Sequence, residues 1–560
     1  MMYALLAIVI VAPFERALVT TPGGFTLTTV EAVVFVAVAV LMIGMGPRAV
    51  AGQFRNPAAF PGLVFLAALA IAAFLSPVDQ ANAARFVLRM LLAALLIVTV
   101  RHTVSSRQRA RLVVRTMVFI ATLVAAVALL EAMQVAVVLS ALTTFRPGFH
   151  VVAGQLRATS TLFYPTITSM YLELAFVCGL WLLLDPGRRR STLERALVFL
   201  ALVLIAAGIS ATFTRTGLVA MAVAIVGAAA ISLLRVPRTH AGLGLLTTLA
   251  GAVTAVVFVG HSPELLATRL RTEGSEAWYG AQYGVPKTLA LRTGAVHRVP
   301  VVLTNTGRFA WNSSEEPAFA LSYHWLRAGS DVVIEFEGRR TPFPQVVEPR
   351  TTVRFDADVI APREPGEYTL VWDVVHETRA WLSTQGVEAP RTRVTVRGAP
   401  TGTVEARMDR LPGPSIRPAR PALWAAALRL SLERPFFGIG PDNYRLVYGS
   451  YLDLDRWDRS VHANNMYLEV LAGAGIIGLG TFLWLLTSTG RLLWQRVQRA
   501  SASAHMGATV AFIAWVVVAG HGLVDSFLSF TTTYVMFAVA AGVATSTGFT
   551  TAMDSNAHRV

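Results

Sequence analysis

Apolar runs of about 20 residues, the length that crosses a bilayer, recur along this chain between short polar turns. They fall at about 1–19, 27–46, 60–76, 83–100, 112–140, 162–184, 193–210, 213–234, 240–260, 466–487, 505–522 and 524–548. The pattern predicts a polytopic α-helical membrane protein with about 12 transmembrane helices, nine within 1–260 and three within 466–560. Between 261 and 465 the period changes. HRVPVVLTN, FALSYHWL, DVVIEFEG, TTVRFDADVI, GEYTLVWDVV and TRVTVRG alternate apolar and polar residues between Gly, Pro and Asn turns. This predicts an inserted all-β sandwich at 277–398, with Trp311, Trp325, Trp372 and Trp381 in its core. RLPGPSIRPARP (410–421) then reads as a proline-rich linker. Residues 420–435 read as a short amphipathic helix, stopped by Pro435 and suited to the membrane–water boundary.

Composition agrees with a membrane protein: 54% of residues are hydrophobic and 14% charged, against roughly 25% charged in soluble domains. The net charge of +15 is almost all arginine, since Lys287 is the only lysine. Its placement speaks for topology and against nucleic acid. With the N-terminus in the cytoplasm, RHTVSSRQRAR (101–111), DPGRRRSTLER (185–195), LLRVPRTH (233–240) and GRLLWQRVQR (490–499) all lie inside. The opposite loops, TTPGG and SPVDQANA, are poor in arginine, as the positive-inside rule requires. The large loop 261–465, Arg215, His462 and Asp525 then face the non-cytoplasmic side. Residues 1–14 lack a basic n-region and a small-residue cleavage site, so they read as part of the first span. Cys178, the one cysteine, lies in an apolar run and allows no intramolecular disulfide.

The candidate chemistry gathers on that outer side. Arg215, flanked by Thr212, Thr214 and Thr216, begins an apolar helix. A guanidinium near hydrocarbon generally faces a partner or an aqueous cavity, and its planar fork of donors suits a phosphate or diphosphate; snorkelling to the interface is the other reading. His462, in SVHANNMYLEVLAGAGIIG, is an imidazole that titrates near neutrality and suits proton abstraction from a hydroxyl. Helical spacing puts His462, Asn465 and Glu469 on one face. Arg85 and Arg89 lie one turn apart; Arg157, Arg445 and Asp525 add further polar groups. Several cations and a histidine beside an apolar bundle describe a site for an anionic head group on a lipid tail. Asp453 and Asp455 form a D-x-D, with Asp458 close by, but Arg456 and Arg459 compete as counter-charges. His324 and His376 in the β region read as structural. No P-loop, G-x-S-x-G or dinucleotide fingerprint occurs.

These stretches resemble the bacterial O-antigen ligase/polymerase family. LWAAALRLSLERPFFGIGPDNYRLVY is similar to its Trp-containing short helix followed by P-x-x-G-x-G-P-x-N-[FY]. HANNMYLEVLAGAGIIGLGTFLWLL resembles its H-N-x-[YL]-L-x-x-x-x-x-x-G-[IL]-[IL]-G passage into a membrane helix, with Ala463 where the family often has Asn. ATFTRTGLVAMAVAIV resembles its Arg-bearing helix. The β insert is an addition to the family pattern, loosely similar to immunoglobulin-like modules of bacterial cell-envelope proteins. The resemblance implies an integral glycosyltransferase of the bacterial inner (cytoplasmic) membrane. Such an enzyme takes a glycan from an undecaprenyl-diphosphate carrier and joins it to a hydroxyl of a glycan, a lipid A core sugar or a protein. It implies His462 as base and Arg215 on the diphosphate. Arg157 or Arg445 would be a second clamp, and neither cofactor nor metal is implied. A lipid-linked glycan flippase, or a non-catalytic envelope scaffold, is the alternative from another class.

Overall fold

The computed structural model describes residues 1–20, 26–54, 59–145, 150–152, 155–185, 191–235, 240–260, 279–314, 318–377, 380–405, 408, 411, 418–452, 454, 457–500 and 505–546. The chain divides into two compact units. One comprises Met1–His150, Arg157–Leu266 and Pro418–Val560; the other comprises Val151–Leu156 and Ala267–Arg417.

The first unit is helical: α1 (Met2–Val11), α2 (Thr29–Met45), α3 (Pro47–Phe54), α4 (Phe60–Phe74), α5 (Gln80–Thr103), α6 (Arg107–Ala132), α7 (Ala136–Leu142), α8 (Pro165–Leu184), α9 (Thr192–Ala211), α10 (Arg215–Arg235), α11 (His240–Gly260), α12 (Arg420–Glu433), α13 (Met466–Arg499), α14 (His505–His521) and α15 (Thr531–Thr545). Among the described residues, α5, α6, α8, α9 and α13 are long and apolar enough to cross a membrane, and apolar helices stand at the other expected spans. Their starts follow from the sequence. Thr28 and Glu31 close a capping box on α2, Asp79 caps α5, Ser106 caps α6 and Ser191 caps α9, each satisfying an orphan N–H. Leucine, valine and alanine fill the core between helices, while Phe35, Ile43, Leu200 and Val226 stay exposed on apolar faces. A helix apolar all round belongs in protein core or lipid.

Three boundaries differ from the periodicity. α1 stops at Val11, ahead of Pro13, whose ring cannot continue it. The run 112–140 breaks after Ala132, where Gln134 takes φ 58 and Val135 N donates to Leu130 O at 3.1 Å. The run 524–548 becomes helical only at Thr531, because Asp525 and Ser526 are spent in a turn.

α13 is itself interrupted at Gly475, with φ 66 and ψ −166. The segment Pro435–Gly440 crosses the break and supplies substitute hydrogen bonds: Ile439 N to Ala472 O at 3.0 Å, Gly440 N to Gly473 O at 2.9 Å and Ile476 N to Pro435 O at 2.8 Å. Buried backbone groups need such partners. The approach explains the glycine in PFFGIGP. Gly438 has φ +63, and a Cβ there would lie 2.4 Å from Ala472 O. Gly438→Ala should therefore destabilise the protein by about 1–3 kcal/mol, read as a lower Tm in detergent; an unchanged Tm would contradict this packing.

Among the described residues, the second unit holds ten strands between Ala281 and Arg397: β1 (Ala281–Gly284), β2 (Thr288–Arg292), β3 (Val296–Asn305), β4 (Phe319–Arg327), β5 (Val333–Glu335), β6 (Thr341–Pro342), β7 (Thr352–Ile360), β8 (Gly366–His376), β9 (Ala380–Trp381) and β10 (Arg391–Arg397). One sheet runs β6-β4-β8-β10-β2, with β5 on β4 and β9 on β8; a second runs β7-β3-β1. Only β10 and β2 pair in parallel among these ladders. Both sheets feed one core: Val299, Val301 and Val359 from the smaller, Tyr323, Trp325, Trp372 and Val394 from the larger. Trp311, Trp325 and Trp372 are buried as expected. Trp381 is half-buried, with the His324 ring tilted against it at 4.5 Å and Arg340 at 4.8 Å over its ring. Both histidines are structural in their contacts. His324 faces Phe336 O and Asp373; His376 meets Tyr279 Oη at 2.9 Å and stacks on Phe319.

In the first unit, α12 buries Leu423, Ala426, Ala427 and Leu430, whereas Leu428 and Leu432 are exposed. Its apolar side is thus two-faced, one part packed on protein and one part uncovered.

Candidate active site

His462 lies in the turn before α13 and not on the helix. Asn465 caps α13, its Oδ1 accepting from Tyr467 N and Leu468 N at 3.0 Å, and Asn464 turns the chain with φ 49. The shared helical face expected for His462, Asn465 and Glu469 is therefore absent. Glu469 meets His462 because the turn folds back over the first turn of α13. Glu469 Oε2 accepts from Ala463 N at 2.8 Å, and Oε1 stands 3.3 Å from His462 Nδ1.

A second carboxylate comes from the GPDNY turn. Asp442, with φ 65, places Oδ1 3.9 Å from His462 Nδ1, beyond hydrogen-bond reach. Its Oδ2 accepts from Arg445 Nε at 3.0 Å, Arg445 Nη2 at 2.9 Å and Asn82 Nδ2 at 3.2 Å. The neighbouring Asn443 donates to Ser76 Oγ and Ile439 O and accepts from Asn82. This clamps the turn to the α4–α5 connection. Arg445 also donates to Asn82 Oδ1 at 2.7 Å and to Arg459 O at 3.2 Å.

His462 is buried, 7% exposed, with the ring of Phe530 edge-on at 5.3 Å. Burial works to lower its pKa, but the charge and hydrogen bond of Glu469 and the charge of Asp442 prevail over it and over Arg445, so the net shift is upward. In the neutral tautomer that donates Nδ1–H to Glu469, Nε2 carries the free lone pair. That is the arrangement of an oriented general base.

Elsewhere on the same unit, Arg157 reaches the turn that precedes Arg215. The TFTR turn between α9 and α10 is closed by Thr212 Oγ1, which accepts from Thr214 N and bonds Ile209 O; Phe213 takes φ 52. Arg215 is the first residue of α10. Arg157 donates from Nε to Thr212 O at 3.0 Å and from Nη2 to Thr214 Oγ1 at 3.4 Å. Its loop is held by Glu131, whose Oε2 accepts from Thr159 N and Ser160 N at 3.0 and 2.7 Å. Tyr164 links this region to the histidine turn: its Oη is 2.9 Å from Ser460 Oγ, and its ring is 6.4 Å from Phe530.

The other expected residues divide. Arg89 pairs with Glu31 at 2.8 Å and has Asp442 within electrostatic reach; Arg85 is half-buried one turn earlier on α5. Asn465 Nδ2 donates to Leu523 O at 2.9 Å, and the carbonyls of Gly522 and Asp525 accept from Met466 N. Asn465 and the Asp525 backbone thus tie the end of α14 to the start of α13. Asp453 and Asp455 lie outside the described residues, while Asp458 Oδ1 bonds Ser460. A narrow cleft of about 10 Å³ lies beside the cluster, lined by Asp442, Glu469, Ser526, Phe86 and Leu69 among others; Arg215 is not in its wall. Asp442, His462 and Glu469 each offer one ligand atom within 4.8 Å of the others, and two carboxylates with an imidazole are a donor set that divalent metals accept.

The stretch carrying this cluster is also the stretch that matches known proteins. Residues 399–483 match the O-antigen ligase family. The match takes in α12, the GIGPDNY turn, His462 and the first half of α13, and it supports the resemblance to the O-antigen ligase/polymerase family. At family level it supports a multi-pass membrane glycosyltransferase acting on lipid-linked glycan and an acceptor. No curated protein matches the chain. Sequence reasoning missed Asp442 and Asn82 as members of the cluster. Asp442 stood inside the quoted GPDNY motif, but only the fold brings Asn82 to it.

Proposed function

We propose that this protein moves a glycan from an undecaprenyl-diphosphate carrier to an acceptor hydroxyl on the non-cytoplasmic face of the bacterial inner membrane. What supports the reading is the His462–Glu469 pair at the mouth of α13, inside the segment similar to O-antigen ligases. In this scheme His462 Nε2 takes the acceptor proton as the acceptor oxygen bonds the anomeric carbon. The bond from that carbon to the phosphate oxygen breaks, and its electron pair leaves with the diphosphate. Arg215 stabilises the charge that grows there, with Arg157 hydrogen-bonded to the turn that precedes it. Attack opposite the leaving group inverts the anomeric configuration. The apolar helices supply about 12 spans and the two-sheet unit an immunoglobulin-like sandwich on the outer side, in this proposal. The base stands where an aqueous hydroxyl and a lipid-anchored donor meet.

The test is reconstitution with an undecaprenyl-diphosphate glycan, following carrier release with and without EDTA. Turnover that survives the chelator is expected, with arginines carrying the charge. Chelator-sensitive turnover would instead assign Asp442, His462 and Glu469 to a metal, and lipid crossing leaflets without a glycosidic bond would favour the flippase.

A further inference from the structure

A second buried acid–base pair lies on α8 and α14. His521 Nδ1 stands 2.8 Å from Glu173 Oε2, both side chains 1% exposed. The other carboxylate oxygen accepts from Ser169 Oγ at 2.6 Å. His521 Nε2 is buried and meets no hydrogen-bonding partner among the described residues. An ionisable pair in an apolar helical bundle is costly and marks function by default, and a half-satisfied one is a poor device for stability alone.

Its position supplies the function. Glu173 Oε1 and Ser169 Oγ face Gly217, two residues into α10 from Arg215. A Cβ at Gly217 would lie 2.2 Å from Ser169 Oγ and 3.1 Å from Glu173 Oε1, so the first turn of α10 rests directly on this pair. On the other side, His521 ends α14, and the turn that follows holds the start of α13: Gly522 O and Asp525 O accept from Met466 N, and Leu523 O accepts from Asn465 Nδ2. One carboxylate thereby lies against the first turn of α10 and pairs with the residue that leads into the turn holding the start of α13.

We propose that Glu173 and His521 are positioning residues that set the spacing between Arg215 and His462. The inference rests on the glycosyl-transfer reading above. A misplacement of about 1 Å at a reacting centre costs about 10²-fold in rate, and it does so without removing any group that binds the donor.

The experiment measures kcat and KM for an undecaprenyl-diphosphate glycan in proteoliposomes, per folded protein, for the wild type, Glu173→Gln, His521→Ala, Gly217→Ala and Gly217→Ala/Ser169→Ala. The expected result is kcat lower by about 10–10²-fold in the first three variants, with KM for the donor within about threefold. Partial recovery is expected in the double variant, where removing Ser169 Oγ makes room for the new methyl. The recovery cannot come from a general loss of folding, so it serves even if His521→Ala is too unstable to assay. Variants whose folded fraction turns over at the wild-type kcat would overturn this inference alone. A wild type that forms no glycosidic bond would overturn the functional reading and this inference with it.

Discussion

His462→Ala should lower glycan transfer by about 10²–10⁴-fold, the range for losing a general base. KM for the lipid donor should change little, because, of the groups assigned to the diphosphate, Arg215 begins α10 and Arg157 is hydrogen-bonded to the turn before it, and neither is on the histidine turn. The variant should also fold. The turn around residue 462 keeps the Glu469 bond to Ala463 N and the cap from Asn465; Glu469 Oε1 loses its imidazole partner, a cost to stability that activity per folded protein removes from the comparison. A variant as active as the wild type would remove His462 from the chemistry.

Glu469→Gln is the second large effect, and it separates orientation from charge. Glutamine keeps the size and can still accept from Ala463 N. If its amide nitrogen faces Nδ1, however, it presents a donor and favours the tautomer with the proton on Nε2, the wrong nitrogen for a base. A comparable exchange in the serine-protease triad costs about 10⁴-fold, and a loss of about 10²–10⁴-fold in kcat is expected here. The pH profile tests the same pair. His462 must be neutral to act, and its pKa is raised, against burial, chiefly by Glu469. Wild-type activity should therefore be lost as pH falls through a value above the ordinary histidine value of about 6.5. Without the Glu469 carboxylate, burial and Arg445 are opposed by Asp442 alone, so the pKa falls relative to the wild type and the residual activity of Glu469→Gln should persist to lower pH. An inflection that stays in place would mean that another group titrates.

The elements of the helical unit were legible because bilayer crossing leaves a long apolar signature that local sequence carries by itself. Its interruptions were not. Gln134 follows α6 in a left-handed conformation that non-glycine residues seldom adopt, and Gly475 breaks α13 because a distant segment replaces its hydrogen bonds. The strands alternated as expected, yet the sheet order β6-β4-β8-β10-β2 depends on non-local pairing that no window displays.

The site divides in the same way. His462 and Arg215 stood out as polar groups beside apolar runs. Asp442 was hidden because an aspartate in a Pro-Asp-Asn turn is ordinary turn chemistry; it joins His462 only after Gly438 lets the turn cross α13 and Asn82 fixes it from α5. The helical spacing of 462, 465 and 469 gave the right partner for the wrong reason, since the contact is made by a turn folding back on the helix it precedes.

The most direct measurement is a structure of the intact protein in a lipid nanodisc with an undecaprenyl-diphosphate glycan bound. Diphosphate oxygens within hydrogen-bond distance of the Arg215 guanidinium are predicted, with the anomeric carbon open to a hydroxyl that His462 Nε2 reaches. A diphosphate held away from Arg215, or a sugar whose reactive face is turned from His462, would contradict the account.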